Sequence, residues 1–246
     1  MSARTKTSQP SRRLLGQTAL ITGATRGIGL AIARALANEN CNLILTARDE
    51  KSLQKLSREL KSPKISTHPC DVRDPQSVSD LFRMIRQQRS RIDILINNAG
   101  IAHPSLTVDR LPFQLWRDVF ATNVDGTFLI TQAALPLMKR GSTIVNNLSI
   151  AATRVFPGSA AYNASKHAAL GFTNTLREEL RPTGIRVIGI LPGATDTDIW
   201  KTLWPQAPRK KMMAPETVAK AIVEAILLPE NATVENLEIL PTLGTL

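Results

Sequence analysis

The chain of 246 residues has one tyrosine, two cysteines and three histidines. No apolar run approaches the ~20 residues that cross a bilayer, so no membrane partner is expected. Cys41 and Cys70 are too few and too far apart for a disulfide framework or a zinc site, and their apolar surroundings read as those of reduced, buried thiols. His68, His103 and His167 lack ligand spacing, so no metal is expected. Aromatics are 4% of the chain, which leaves few platforms for stacking single-stranded bases.

Acidic residues are missing from the whole N-terminal stretch before Glu39, while Arg4, Lys6, Arg12, Arg13, Arg26 and Arg34 all precede it. Residues 1–13 read as a basic, disordered tail, polar and without periodicity. They carry no apolar core of a secretory signal, which implies a cytoplasmic protein, and their composition leaves an organelle transit peptide open. The net charge of +11 favours anionic partners without naming one. Arg83, Arg86, Arg89 and Arg91 fall mostly at helical spacing beside Leu81, Phe82 and Ile85. That pattern is the solvated face of an amphipathic helix, and no nucleic-acid partner is expected.

From residue 14 onward short, nearly continuous apolar runs alternate with longer helical patterns. The runs are 18–22, 42–46, 63–67, 93–97, 143–147, 186–191 and 237–240; the helices fall near 27–38, 50–60, 75–90, 112–139, 160–181 and 215–228. Strands apolar on both faces belong to a covered parallel sheet. The expected architecture is a doubly wound α/β Rossmann fold, one domain over 14–246, with a largely parallel sheet of about seven strands between helices on both faces.

The first strand runs into "TGATRGIG", residues 22–29, and then into a helix. Gly23, Gly27 and Gly29 allow a tight turn whose N–H groups, together with those of Thr25, Arg26 and Ile28, face a phosphate at the helix N-terminus. An NAD site carries an acid ~20 residues past the glycines, at the end of the second strand. Here that place reads Thr46, Ala47, Arg48, and Asp49 comes only afterwards. Guanidinium pairs with a 2′-phosphate where carboxylate repels it. Arg48, with Arg26 as a second clamp, therefore points to NADP(H).

At the other end, "NNAG" (97–100) closes the fourth strand, Asn123 lies in the long helix that follows, Ser149 comes just after the fifth strand, and Tyr162 and Lys166 stand beyond it. With TGxxxGxG at 22–29, and "PG" at 192–193 followed by Thr197, this chain resembles the short-chain dehydrogenase/reductase family over nearly everything from residue 14 on. The resemblance implies Asn123, Ser149, Tyr162 and Lys166 as the catalytic set. It implies that Lys166 also holds the nicotinamide ribose and that Asn123 positions a relay water. Asp71, with Val72 beside it, would lie near the adenine, and Asn98, Ala99 and Gly100 would line the cofactor. Pro192, Gly193, Thr195 and Thr197 would meet its carboxamide or diphosphate. The chain departs from the family pattern at Leu148, where a second serine often precedes the catalytic one.

The physics of that set is independent of the name. A hydride arriving at a carbonyl carbon makes an alkoxide that must be protonated as it forms. A free phenol, pKa ≈ 10, serves poorly in both directions near neutrality. A lysine at i+4 shares its helix face and favours phenolate. Ser149 would hold the substrate oxygen where charge develops.

Substrate choice is expected in three loops, 101–111, 150–158 and 194–214. Trp200 and Trp204 in the last either cover an apolar carbonyl compound or pack the loop down, and Arg209, Lys210 and Lys211 either meet an anionic tail or face water. His103, Arg154 and Phe156 are further candidates. The leading reading is an NADPH-dependent reductase of a ketone or aldehyde, or the reverse alcohol dehydrogenase; a carrier-protein 3-oxoacyl reductase is a narrower form, disfavoured by the C-terminal "NLEILPTLGTL". The alternative is a redox-silent dinucleotide sensor, or a basic nucleic-acid-binding protein, on the same fold. The family implies a homodimer or homotetramer through the two long helices.

Overall fold

The computed structural model describes residues 13–88 and 91–244. The tail reading over 1–12 and the surface arginine Arg89 lie outside the described residues. Seven strands, β1 (Thr18–Thr22), β2 (Asn42–Ala47), β3 (Ile65–Pro69), β4 (Ile94–Asn97), β5 (Thr143–Asn147), β6 (Arg186–Pro192) and β7 (Asn236–Ile239), form one parallel sheet. Their order is β3-β2-β1-β4-β5-β6-β7. The chain winds outward from β1, then returns to its other side at β4. The two loops diverging there open a crevice at the carboxyl edge.

Among the described residues the α-helices are α1 (Gly27–Asn38), α2 (Glu50–Glu59), α3 (Pro75–Gln88), α4 (Phe113–Phe120), α5 (Gly126–Ala134), α6 (Ala160–Leu180), α7 (Ile199–Leu203) and α8 (Pro215–Ile226). They flank the sheet except for α4, which packs on α6, and the short α7 beside the cleft. Alternate strand residues feed two cores. Ala19, Ile21, Leu43 and Leu45 pack with α1 and α8; Leu20, Ile44, Leu95 and Ile144 pack with α3, α5 and α6. This double burial is why the strands read as unbroken apolar runs. Cys41 and Cys70 are free and buried.

Three sequence expectations shift. β3 begins at Ile65 rather than residue 63, since Pro63 has no N–H for the ladder and the register pairs Leu43 with Ile65. The long helix over 112–139 is broken: a π turn at Ala121–Asp125 separates α4 from α5, and a 3-10 turn at Leu135–Leu137, containing Pro136, ends it. Arg13, assigned to the tail, instead forks between Glu39 at 2.6 Å and Glu224 at 3.2 Å, tying the chain's start to α1 and α8. Of the basic series, Arg83 pairs with Asp80 on the exposed face of α3, as expected.

The long helix α6 is fixed to the sheet by polar contacts as well as apolar ones. Arg177, 7% exposed, donates to the carbonyls of Val187 (3.0 Å) and Glu235 (2.6 Å) and to Asn174 Oδ1 (2.9 Å). Asn146 in β5 donates to Thr173 at 2.9 Å. Removing the guanidinium takes this donor from the buried Val187 carbonyl, at about 1–3 kcal/mol. It also unties α6 from Glu235, whose carbonyl keeps the Gly189 N–H at 2.8 Å. Arg177→Met is therefore expected to lose roughly 2–4 kcal/mol of stability, read as a lower urea midpoint with unchanged slope. An unchanged midpoint would contradict this anchoring.

Candidate active site

The crevice at the carboxyl edge is a cleft of about 980 Å³. Its first wall is the turn between β1 and α1. Gly23 and Gly27 take φ of +63° and +54°, open to glycine at little cost. A Cβ on Gly29 would lie 2.3 Å from the Gly23 carbonyl oxygen and from Asn98 Nδ2. Only bare backbone fits there. The first turn of α1 has no acidic residue and no side-chain cap, so its N–H groups have no side-chain partner. That is the donor set of an anion site.

Asn98 braces this turn. Its Nδ2 donates to the carbonyls of Thr22 (3.0 Å) and Gly23 (3.1 Å). Thr22 Oγ1 accepts the N–H groups of both Asn98 and Ala99 at 3.0 Å. Thr197 packs over the turn, its methyl 3.1 Å from where a Gly27 Cβ would be. Gly23, Thr25, Arg26, Gly27 and Ile28 line the cleft, as do Asn98, Ala99, Gly100, Pro192, Gly193, Thr195 and Thr197. Gly29 lies behind this lining, where it lets the turn close on itself.

The acids and bases after β2 and β3 divide sharply. Arg48 and Arg26 line the cleft, both exposed, and neither forms an ion pair among the described residues. Asp49 also lines it, but its carboxylate caps α2, accepting the Ser52 hydroxyl and, at 2.9 Å, the Ser52 N–H, which together hold its pKa below the usual range. Asp71, lining the cleft with Val72, is clamped by Arg73 through bonds of 2.6 to 3.1 Å. Both its oxygens are occupied in this arrangement. Arg73 was not singled out in the sequence; "CDVRD" gives no sign that its arginine folds back two residues.

Ser149, Tyr162 and Lys166 converge on the same cleft. Tyr162 and Lys166 sit one turn apart on α6, and the Lys166 Nζ lies 5.7 Å from the Tyr162 ring centre. Lys166 is 8% exposed and donates to the Asn147 carbonyl at 3.0 Å. The Ser149 hydroxyl accepts the Ala151 N–H at 3.1 Å and lies close enough to the Tyr162 phenol to favour its ionised form. In the protein alone burial dominates the phenol and pushes its pKa above the usual 10.0, with Ser149 pulling the other way. The lowering expected from Lys166 alone is therefore not present in this state. Leu148, in place of the frequent serine, packs with Ala152, Ala169 and Leu191 and leaves Ser149 in register.

Asn123 does not line the cleft. The π turn points it at the loop after β4, where it accepts the Ile101 N–H and donates to the Ile101 carbonyl, both at 2.9 Å, and donates to Ser165 at 3.0 Å. Its amide is a two-way clamp on the loop. Asn147, also unforeseen, joins the two ends of the site: its Nδ2 donates to Asn98 Oδ1 at 2.8 Å while its backbone holds Lys166. The doubled asparagine of "TIVNN" was the available signal.

In the loop over 194–214, the Trp200 indole N–H is pinned to the Thr195 carbonyl at 2.8 Å, and both tryptophans line the cleft. Arg209 is paired with Asp196, and Arg154 with Glu238. Phe156 lines the cleft, whereas His103 is buried beneath it, its Nδ1–H donating to the Pro104 carbonyl at 2.7 Å.

Burial holds the Lys166 ammonium at a pKa of about 8, down from 10.5. Between those values the unfolded chain binds a proton the folded one has released, so the contribution of Lys166 to stability rises with pH across that window. The rise is on the order of 3 kcal/mol in the cofactor-free protein. Lys166→Met is expected to lack it. Urea denaturation of both proteins on either side of the window checks this; parallel profiles would contradict a desolvated ammonium.

This chain is similar to known proteins over most of its length. The family model for short chain dehydrogenase matches residues 17–208. Sulfoacetaldehyde reductase 2 of Chromohalobacter salexigens is 35% identical over 235 residues, 91% of this chain and 93% of that protein. An alcohol dehydrogenase from the archaeon Thermococcus sibiricus, solved with 5-hydroxy-NADP, superposes with a TM-score of 0.85 at 28% identity, covering 92% of this chain and 97% of that one. A 3-ketoacyl-(acyl-carrier-protein) reductase from Brucella melitensis, solved with NADH, gives 0.84 at 26% identity, covering 93% and 98%. A seven-stranded parallel sheet, a glycine turn under its first helix and this family match make the chain a member of the short chain dehydrogenase family of oxidoreductases.

Proposed function

We propose that this protein reduces a ketone or aldehyde with NADPH, or oxidises the corresponding alcohol with NADP. The observation that carries the reading is the convergence of Ser149, Tyr162 and Lys166 on the cleft that the glycine turn also lines. The residues present fit a dinucleotide: a bare-backbone turn at an uncapped helix N-terminus for the diphosphate, and unpaired guanidinium groups on Arg26 and Arg48 for a 2′-phosphate. Asp49, the nearest acid after β2, has its carboxylate directed to the α2 cap, which favours NADP over NAD. Lys166 would hold the nicotinamide ribose, and Thr195 and Thr197 the carboxamide or diphosphate. When bound, the cofactor supplies or accepts the hydride.

The chain's own residues do the rest. Ser149 orients the carbonyl oxygen through its hydroxyl. Tyr162 delivers the proton to that oxygen, or removes it in the reverse direction. Lys166 stays near the phenol because Asn147 holds its ammonium in place, and positive charge beside a desolvated hydroxyl favours phenolate. Asn123 keeps the Ile101 backbone, and with it one wall of the cleft, in position. A homodimer or homotetramer accords with the part-exposed Phe128 of α5, which meets Phe172 of α6 edge-on.

Tyr162→Phe is expected to lower turnover by roughly 10²–10⁴-fold, with NADPH affinity within a few-fold of wild type by fluorescence titration. Retained turnover would dismiss the phenol as the acid. Arg48→Asp is expected to weaken NADPH binding by at least about tenfold through lost charge-assisted bonds, and to affect NADH far less. Equal losses for the two cofactors would remove Arg48 from this role.

A further inference from the structure

Charge is distributed unevenly along the cleft. Arg26 lies in the glycine turn, Arg48 and Asp49 follow β2, and Asp71 and Arg73 follow β3; all line the end beneath β1–β3. Beyond Tyr162 the lining changes to Ile101, Ile150, Phe156, Trp200, Leu203 and Trp204. The polar side chains among them are hydroxyls, such as Ser105, Ser159 and Thr202, and the carboxylate of Asp198. Nearby cations are engaged elsewhere. Lys166 is bound to the Asn147 carbonyl, Lys201 pairs with Asp198 at 2.7 Å, and Arg209 and Arg154 are paired with Asp196 and Glu238. His103 lies between the lining residues Ala102 and Pro104 but lines neither cavity.

The apolar end continues outward. A groove of about 570 Å³ shares Ser105, Thr202, Leu203 and Trp204 with the cleft and is completed by Pro104, Pro205, Gln206 and Lys201. A molecule reacting at Tyr162 thus has an apolar wall beside its carbonyl and a channel for its far end. A carboxylate, sulfonate or phosphate beside the carbonyl would lose water against isoleucine, phenylalanine and tryptophan, and the groove's Lys201 is already paired with Asp198. An uncharged body gains burial instead.

We infer that the compound acted on is an uncharged carbonyl (or alcohol) carrying an apolar ring or branched chain, its body held between Phe156, Trp200 and Leu203 and its far end in the groove by Pro104 and Pro205. This rests on the proposed carbonyl chemistry and adds the substrate class. It excludes small anionic aldehydes and free keto acids as preferred substrates.

The test uses matched pairs differing only in charge: aryl keto acids and their methyl esters, with the full chain and NADPH. The ester is expected to exceed the acid in kcat/KM by roughly 100-fold. Leu203→Arg, which sets a cation in the wall, is expected to narrow that ratio at least about tenfold, with NADPH affinity unchanged. Equal rates for acid and ester, or a ratio untouched by Leu203→Arg, would overturn the inference. Binding of the same pairs to NADPH-loaded Tyr162→Phe, read by tryptophan fluorescence, separates the two claims. Selective ester binding without turnover in wild type would sink the carbonyl chemistry and keep the pocket assignment. Acid bound as tightly as ester, or neither bound, would sink the pocket assignment itself.

Discussion

A phenol and an ammonium group, both taken out of water on one face of α6, set the demands that the surrounding structure meets. The ammonium is the more exacting of the two. Lys166 is 8% exposed, and its donation to the Asn147 carbonyl is what fixes it within reach of the Tyr162 ring. A buried lysine destabilises the fold that contains it. The anchors of α6 offset that cost. Arg177 ties the helix to β6 and the chain entering β7, Asn146 ties it to β5, and Ser165 ties it to Asn123.

The same polar framework links the two ends of the cleft. Asn147 bonds Asn98, and Asn98 bonds the Gly23 carbonyl, so the backbone under Lys166 connects in two steps to the phosphate turn. Asn123 extends the frame to Ile101. Four asparagine or lysine side chains from four elements thus brace one crevice. Asn123 is buried, and Asn98 and Asn147 are part-buried, because the sheet's carboxyl edge brings together loops whose backbone groups need partners. The division of charge follows from the same arrangement. Loops after β1, β2 and β3 carry the arginines, while the loops after β4, β5 and β6 supply the apolar wall.

Much of this was legible in the sequence because its signals are local. Unbroken apolar runs marked six of the seven strands to within one residue at each end; β3 slipped by two because the edge strand is only half buried and its register depends on β2. TGxxxGxG and the Tyr162–Lys166 spacing located both ends of the cleft because each lies within one turn or one loop. The hidden parts depend on contacts between distant segments. Helical periodicity survives a π turn, so the break at Ala121–Asp125 could not be read from pattern alone. The roles of Asn123 and Asn147 depend on loops 22 and 49 residues away. Arg73 closing on Asp71 is local, yet nothing in composition distinguishes it from a solvated arginine. The direction of the phenol's shift also escaped sequence reasoning, since i+4 spacing shows the cation but not how little water surrounds the hydroxyl.

Tyr162 is the one tyrosine of the chain, so tyrosinate absorbance reports on it alone. The most direct measurement is a pH titration of that band in the cofactor-free protein, and again with saturating oxidised NADP, for wild type and Lys166→Met. The account predicts ionisation above the ordinary phenol value without cofactor, and a fall toward neutrality with it that Lys166→Met largely abolishes. A phenol that titrates at the same pH in every one of these states would contradict it.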